Sequence, residues 1–184
     1  MPWFESGARY RPSRKVSIML RLSFLLIYMV LVGAAQMPPS TTDWRGLSPL
    51  QSTRIDVERT LGPPSQNFEN QLMIYYSPDA VVRFGFSSNP KCRQKLPYTS
   101  WDVPADTVTA IDVTLKHSRS VEETGIDLSN FKKTKGDYDV IGHYYYWNSD
   151  GDFGVEVNNN YVKGYLYRSG VKHKNLRCEP GSQR

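Results

Sequence analysis

Leu50-Gln51-Ser52-Thr53-Arg54-Ile55-Asp56-Val57-Glu58-Arg59-Thr60-Leu61-Gly62-Pro63-Pro64 reads as one short helix with a capped start and a hard stop. Thr53 is a good N-cap residue, and Asp56, three positions on, completes a capping-box-like pair. Leu50 is placed to fold back as part of a hydrophobic staple. Val57 and Leu61 are i, i+4 neighbours and make a narrow apolar stripe, so one face docks and the other, which carries Arg54, is wet. Gly62 suits the left-handed conformation after the last turn, and Pro63-Pro64 forbid continuation. A helix of about two turns does not stand alone in water, so this one must dock on something.

That something is β structure. Residues 71–76, 80–86, 108–115, 140–147, 153–157 and 161–167 read as strands. Val82, Phe84 and Phe86 share a face. Ile111, Val113 and Leu115 point inward with Asp112 and Thr114 outward, and Phe153, Val155 and Val157 alternate in the same way. Asn148-Ser149-Asp150-Gly151-Asp152 and Asn158-Asn159-Asn160 suit the positive φ angles of hairpin turns. The polar stretch 116–136 has two readings: one helical turn within 124–131 anchored by Ile126, Leu128 and Phe131, or a mobile insertion. The expected fold is α+β, with one or two short helices packed on an antiparallel sheet of five to six strands that has one wet face. It forms a single domain over 49–178, followed by a tail at 179–184. The order helix, strands, helical turn, strands also suits an internal duplication, although no residue-level repeat is visible.

The flank before the domain looks like an export signal. Arg9, Arg11, Arg14, Lys15 and Arg21 make a basic region, residues 22–32 an apolar run, and Gly33-Ala34-Ala35 a small-residue cleavage site, so residues 1–35 read as a signal peptide. The alternative is a signal retained as an inner-membrane anchor, although the strictly apolar run falls short of the roughly 20 residues that span a bilayer. Residues 36–48, with Pro38-Pro39-Ser40-Thr41-Thr42, read as a linker, from which Trp44 and Leu47 begin the folded part. The net charge of +5 comes largely from the signal. What remains is near neutral and has no clustered positive surface for nucleic acid. An exported chain with two cysteines, Cys92 and Cys178, is expected to join them in a disulfide. The chain-entropy model values such a long closed loop at about 4–5 kcal/mol.

Leu50 to Pro64 resembles the signature of the BamE/SmpA-OmlA-like module, a beta-lactamase-inhibitor-protein-like bacterial envelope family. Thr53, Val57, Leu61, Gly62 and Pro64 occupy its cap, apolar and Leu-Gly-x-Pro positions, and residues 71–86 supply its first hairpin. The mature chain also looks like small exported bacterial proteins of unknown function. The resemblance implies a helix-on-sheet fold, a periplasmic or extracellular location and a non-catalytic role. It implies no activity.

Catalytic patterns are thin. His117, His143 and His173 are too far apart in sequence for a zinc motif. Asn148–Asp152 superficially resembles a calcium loop, but Tyr146 and Val157 stand where that loop needs oxygen ligands. Gly85-Phe86-Ser87-Ser88-Asn89 falls one residue short of a nucleophile elbow. No cofactor is implied. The unusual feature is aromatic density in Tyr144-Tyr145-Tyr146-Trp147 and in Tyr161, Tyr165 and Tyr167. Consecutive aromatics in a strand face both sides. One set packs in the core, and the other, Tyr144 and Tyr146 or Tyr161 and Tyr165, either packs across strands as ordinary sheet residues or, if exposed, is available to a protein partner or to sugar stacking. The expectation is therefore a non-catalytic envelope or secreted binding module. It uses the aromatic sheet face or the loop 87–100, with an envelope protein or glycan as partner. It meets a membrane only through the signal or an uncleaved anchor. The alternative is a hydrolase or glycan-active protein using dispersed carboxylates such as Asp102, Asp106 and Asp112.

Overall fold

The computed structural model describes residues 42–68, 71–87, 101–136 and 141–178, all within the unit Pro38–Arg184. The expected signal (1–35), Cys92, most of the loop 87–100 and the tail lie outside them. Strands β1 (Gln66–Phe68), β2 (Leu72–Tyr76), β3 (Ala80–Phe86), β4 (Val108–Ser120), β5 (Lys132–Lys135), β6 (His143–Trp147), β7 (Phe153–Asn158) and β8 (Tyr161–Arg168) form one sheet. Its order is β1-β2-β3-β4-β8-β7-β6-β5, antiparallel throughout. Two α-helices accompany it, α1 (Arg54–Leu61) and α2 (Val121–Thr124), with 3-10 turns at Leu128–Asn130 and Val171–Leu176.

The expected α+β fold with five to six strands is thus corrected to one large, mainly β, eight-stranded sheet with small helices. Both added strands are edges. β1 is exposed at all three positions, and β5 is Lys-Lys-Thr-Lys with only Thr134 partly covered. A strand wet on both faces carries no apolar alternation, and lysines are a usual defence of an edge. The polar stretch 116–136 is likewise not an insertion. β4 continues to Ser120, and a bulge between Thr114 and Arg119 lets it run on beside β8.

α1 forms as its sequence dictates. The Thr53 hydroxyl accepts from the Asp56 amide, and the Asp56 carboxylate accepts from the Thr53 amide at 2.8 Å. Gly62 takes φ 78° but ψ −164°, so it is not in the expected left-handed conformation, and it donates its N–H to the Glu58 carbonyl. Val57 is fully buried, and Leu61 packs at the margin of the core. The segment leading into the helix and the helix's first residue are sewn to the start of β4 and the turn before it by three backbone bonds: Leu50 N–H to the Val108 carbonyl, Val108 N–H to the Ser52 carbonyl, and Arg54 N–H to the Asp106 carbonyl. The Tyr75 hydroxyl also donates to the Gly62 carbonyl at 3.1 Å. Arg54 is not on a wet face. Its side chain is 14 % exposed and pairs with Asp106 at 2.8 Å, and its guanidinium lies 4.3 Å from the centre of the Phe86 ring.

The same plan recurs after β4. Ser120 and Glu123 form a second capping box, and Gly125 stops α2 at φ 66°. Each helix is followed by a four-strand meander, and the two meanders join through β4 and β8. The duplication is topological, without a matching residue pattern.

Register assigns the two faces of the sheet. Met73, Tyr75, Val82, Phe84, Ile111, Val113, Tyr167, Phe153, Val155 and Val157 face the helices and form one buried cluster. Trp44, Ile126, Leu128 and Phe131 close over it, Trp44 edge-on to Phe84 at 5.8 Å and Phe131 edge-on to Phe153 at 6.2 Å. Leu47 is buried as well, so the fold begins within the expected linker, and Ile126, Leu128 and Phe131 anchor as expected.

Candidate functional site

The opposite face of the sheet carries the feature with most chemical character. Pairing places Phe68, Leu72, Ile74, Tyr76 and Val81 together at the β1–β3 end. Ala110 and Leu166 lie near the middle, and His143, Tyr145 and Trp147 line β6. None of these belongs to the buried cluster on the helix side. Among the described residues no α-helix lies on this face. Phe68 and Tyr76 are about half exposed, at 49 % and 52 %, and Tyr145 and Trp147 are partly covered.

Several polar groups on this open face are paired with one another. Arg168 pairs with Asp112 and donates to the Tyr167 carbonyl at 3.0 Å. Arg83 donates to the Thr114 hydroxyl at 3.1 Å. His143, almost buried, shares a 2.9 Å hydrogen bond with Glu156. The face therefore offers apolar and aromatic surface between paired charges, with the Asp112 Oδ1 and Asn158 Oδ1 atoms buried and without a hydrogen-bond partner, a composition suited to contact.

Small residues decide how its aromatics lie. Trp147 is directly opposite Gly154, and a Cβ at position 154 would come within 2.7 Å of the indole. The glycine lets the ring lie down on the sheet. At this end of the face Trp101 approaches through its bridge to Arg177, whose guanidinium sits 5.2 Å from the indole centre. Both tryptophans line a cavity of about 320 Å³ together with Ala110, Arg168 and Ser169.

The four tyrosines expected to meet a partner are divided. Tyr144 and Tyr146 share the helix-side face, where the Lys133 ammonium lies 3.6 Å from the centre of the Tyr144 ring and Tyr146 packs against the core. Tyr165 stacks at 6.2 Å on Phe153, and burial pushes its hydroxyl pKa up. Tyr161, half exposed, begins β8 across from Asn158. The residues that reach the open face on β6 are instead His143, Tyr145 and Trp147. Their phase was available in principle: Val155 and Val157 point inward, and the turn before β7 pairs them with Tyr146 and Tyr144, which sends the odd positions outward. Trp101, Arg168 and Arg177 had no such signal, because only the end of β8 and the turn after it bring them together.

The dispersed carboxylates meet different partners. Asp106 pairs with Arg54 and Asp112 with Arg168, while Asp102 is exposed and its amide donates to the Leu176 carbonyl. The Asn148–Asp152 segment is a hairpin turn, in which the Asn148 side-chain oxygen accepts from the Asp152 and Phe153 amides. Among the described residues no group of three or more His, Cys, Asp or Glu is placed to hold a metal. No helix among them is long and apolar enough to cross a membrane. No family model matches the chain, and no curated protein and no solved structure does either.

Proposed function

We propose that this chain is an exported, non-catalytic binding module that holds an envelope or secreted protein against the open face of its sheet. The observation that carries the reading is that face itself. Phe68, Leu72, Tyr76, Tyr145, Trp147 and Leu166 lie on it, outside the cluster that builds the core. Phe68 and Tyr76 leave exposed aromatic surface at the β1–β2 rim of this face, a kind of surface that marks interaction sites, and aromatic residues beside paired charges suit an interface. No observation favours the glycan-active alternative, since Asp106 and Asp112 each neutralise an arginine.

Export, the BamE-like relationship and the Cys92–Cys178 disulfide belong to the same proposal. They draw on the sequence of residues 1–35, on the resemblance of Leu50 to Pro64, and on the pair of cysteines. The bridge of Arg177 to Trp101 supports the disulfide. It brings the residue before Cys178 beside a position only nine residues beyond Cys92, within easy reach of the chain. Titration of the denatured, unreduced protein should find no free thiol; two free thiols refute the bridge.

The binding reading is tested with a photo-crosslinking residue in place of Tyr76 or, on the helix side, of Ile55, which is 66 % exposed. Position 76 should give one discrete adduct in the envelope fraction and position 55 none. Equal adducts from both, or none from position 76, overturn the proposal.

A further inference from the structure

The cavity lined by Trp101 and Trp147 has a character of its own. Two indoles line it, one held down on Gly154 and the other buried to 8 % exposure. Ala110 adds a methyl group to the lining. Two guanidiniums border it, and among the described residues no carboxylate does. The guanidiniums differ in state. Arg168 is committed to Asp112 and to backbone carbonyls, so it is fixed and its charge is spent. Among the described residues no carboxylate lies within ion-pair distance of Arg177, which is exposed and rests over Trp101. The Thr109 and Ser169 hydroxyls supply neutral hydrogen-bonding groups.

We infer that this cavity binds a small ring-bearing carboxylic acid, either a sugar acid or an aromatic acid. An indole face stacks on a flat aromatic ring and also takes the C–H face of a puckered sugar ring. The guanidinium of Arg177 presents the planar fork that a carboxylate takes in two hydrogen bonds. A volume of about 320 Å³ lies near the lower end of the range for small-molecule sites and suits one sugar or one fused-ring acid. The inference shares Trp147 with the protein-binding reading but uses neither Phe68 nor Tyr76, so the crosslinking test at position 76 and the acid titration fail independently.

The test is titration of the full chain with glucuronate, with indole-3-acetate, and with glucose as the neutral control. Glucuronate and glucose binding is followed by tryptophan fluorescence and calorimetry, and indole-3-acetate binding by calorimetry alone because it fluoresces itself. At least one acid should saturate at about millimolar concentration, with glucose at least tenfold weaker. The Arg177→Gln variant replaces an exposed side chain and should keep the wild-type melting temperature. It should lose tenfold or more in affinity for the acid, and Arg177→Lys should recover part of it. Binding of glucuronate alone assigns the site to sugar acids, and binding of indole-3-acetate alone to aromatic acids. Absence of saturable binding by either acid overturns the inference, as does an acid affinity that Arg177→Gln leaves unchanged. If Arg177→Gln melts early, Trp147→Phe, which keeps a ring on Gly154 and shrinks the wall, replaces it and must weaken the acid at least threefold.

Discussion

α1 and α2 start alike, and each stops at a glycine of positive φ, left-handed at Gly125 but not at Gly62. Thr53 with Asp56 and Ser120 with Glu123 form the same reciprocal cap. Yet α1 runs eight residues and buries Val57, whereas α2 runs four and buries none. The second half is instead held by residues downstream of its helix, Ile126, Leu128 and Phe131, all only partly buried. Matching caps thus specify where a helix begins and ends, while docking strength comes from a side chain driven into the core. The difference implies a gradient of local stability, with α2 and β5 opening before α1 and β2.

The largest test of that contrast is Val57→Asp. An unpaired carboxylate in the core should remove about 4 kcal/mol or more and leave little folded protein. Ile126→Asp, in the corresponding cover of the second half, can reach water and should remove only about 1–2 kcal/mol. Urea unfolding followed by far-UV circular dichroism gives both values. Equal losses would mean that the two halves are one cooperative cover and that the gradient does not exist.

A smaller difference is expected between two arginines, one in each half. Arg54→Ala should cost about 1–2 kcal/mol, mostly through lost packing and cation–π contact with Phe86. Its partner Asp106 is 53 % exposed and stays solvated when left alone. Arg168→Ala should cost about 0.5 kcal/mol, as for other pairs open to solvent, since both its members are about one-third exposed. The order reverses if Arg54 contributes only its surface charge.

Much of this was legible in the sequence, and the misses have physical causes. Thr53, Asp56, Val57 and Gly62 are local signals, and the helix lies where they put it. The six inner strands show apolar alternation because at least one of their faces is buried. β1 and β5 are the two rims, and a rim strand such as Lys132–Lys135 has no buried face to record. Arg54 was misplaced because Phe86 and Asp106, which enclose it, come from a loop and a strand remote in sequence. The open face was legible only in half. Tyr145 and Trp147 could be set by the phase of β7, whereas the Trp101–Arg177 contact depends on the path of the chain after β8.

The caps themselves give the next comparison. Thr53→Ala and Ser120→Ala should each remove about 1 kcal/mol from their own helix. Because α1 is tied to the core, the Thr53 variant should lower the global melt. The Ser120 variant should instead speed hydrogen exchange of amides 121–131 while leaving the melt near its wild-type value. A global loss in both would again erase the distinction between the halves.

The smallest effect is on acid stability. Hydrogen bonds from the Thr53 hydroxyl and amide, with help from Arg59, hold Asp56 below its ordinary value of 3.8. The bond from the Ser129 amide holds Asp127 below the same value. Both carboxylates are depressed in the folded state, so each contributes stability that is fully present above that ordinary value and disappears as the pH falls through the folded one. The gap in urea midpoint between wild type and Asp56→Ala should therefore be steady from neutral pH down to about 4 and narrow at lower pH, as protonation takes the same contribution from the wild type. Asp127→Ala should show the same acid dependence only in exchange of the 121–131 amides, because its loop can open while α1 and the core stay closed. A gap for Asp56 that widened with acid would mean that the proton binds the folded state more tightly than the unfolded one, opposite to the geometry of the cap.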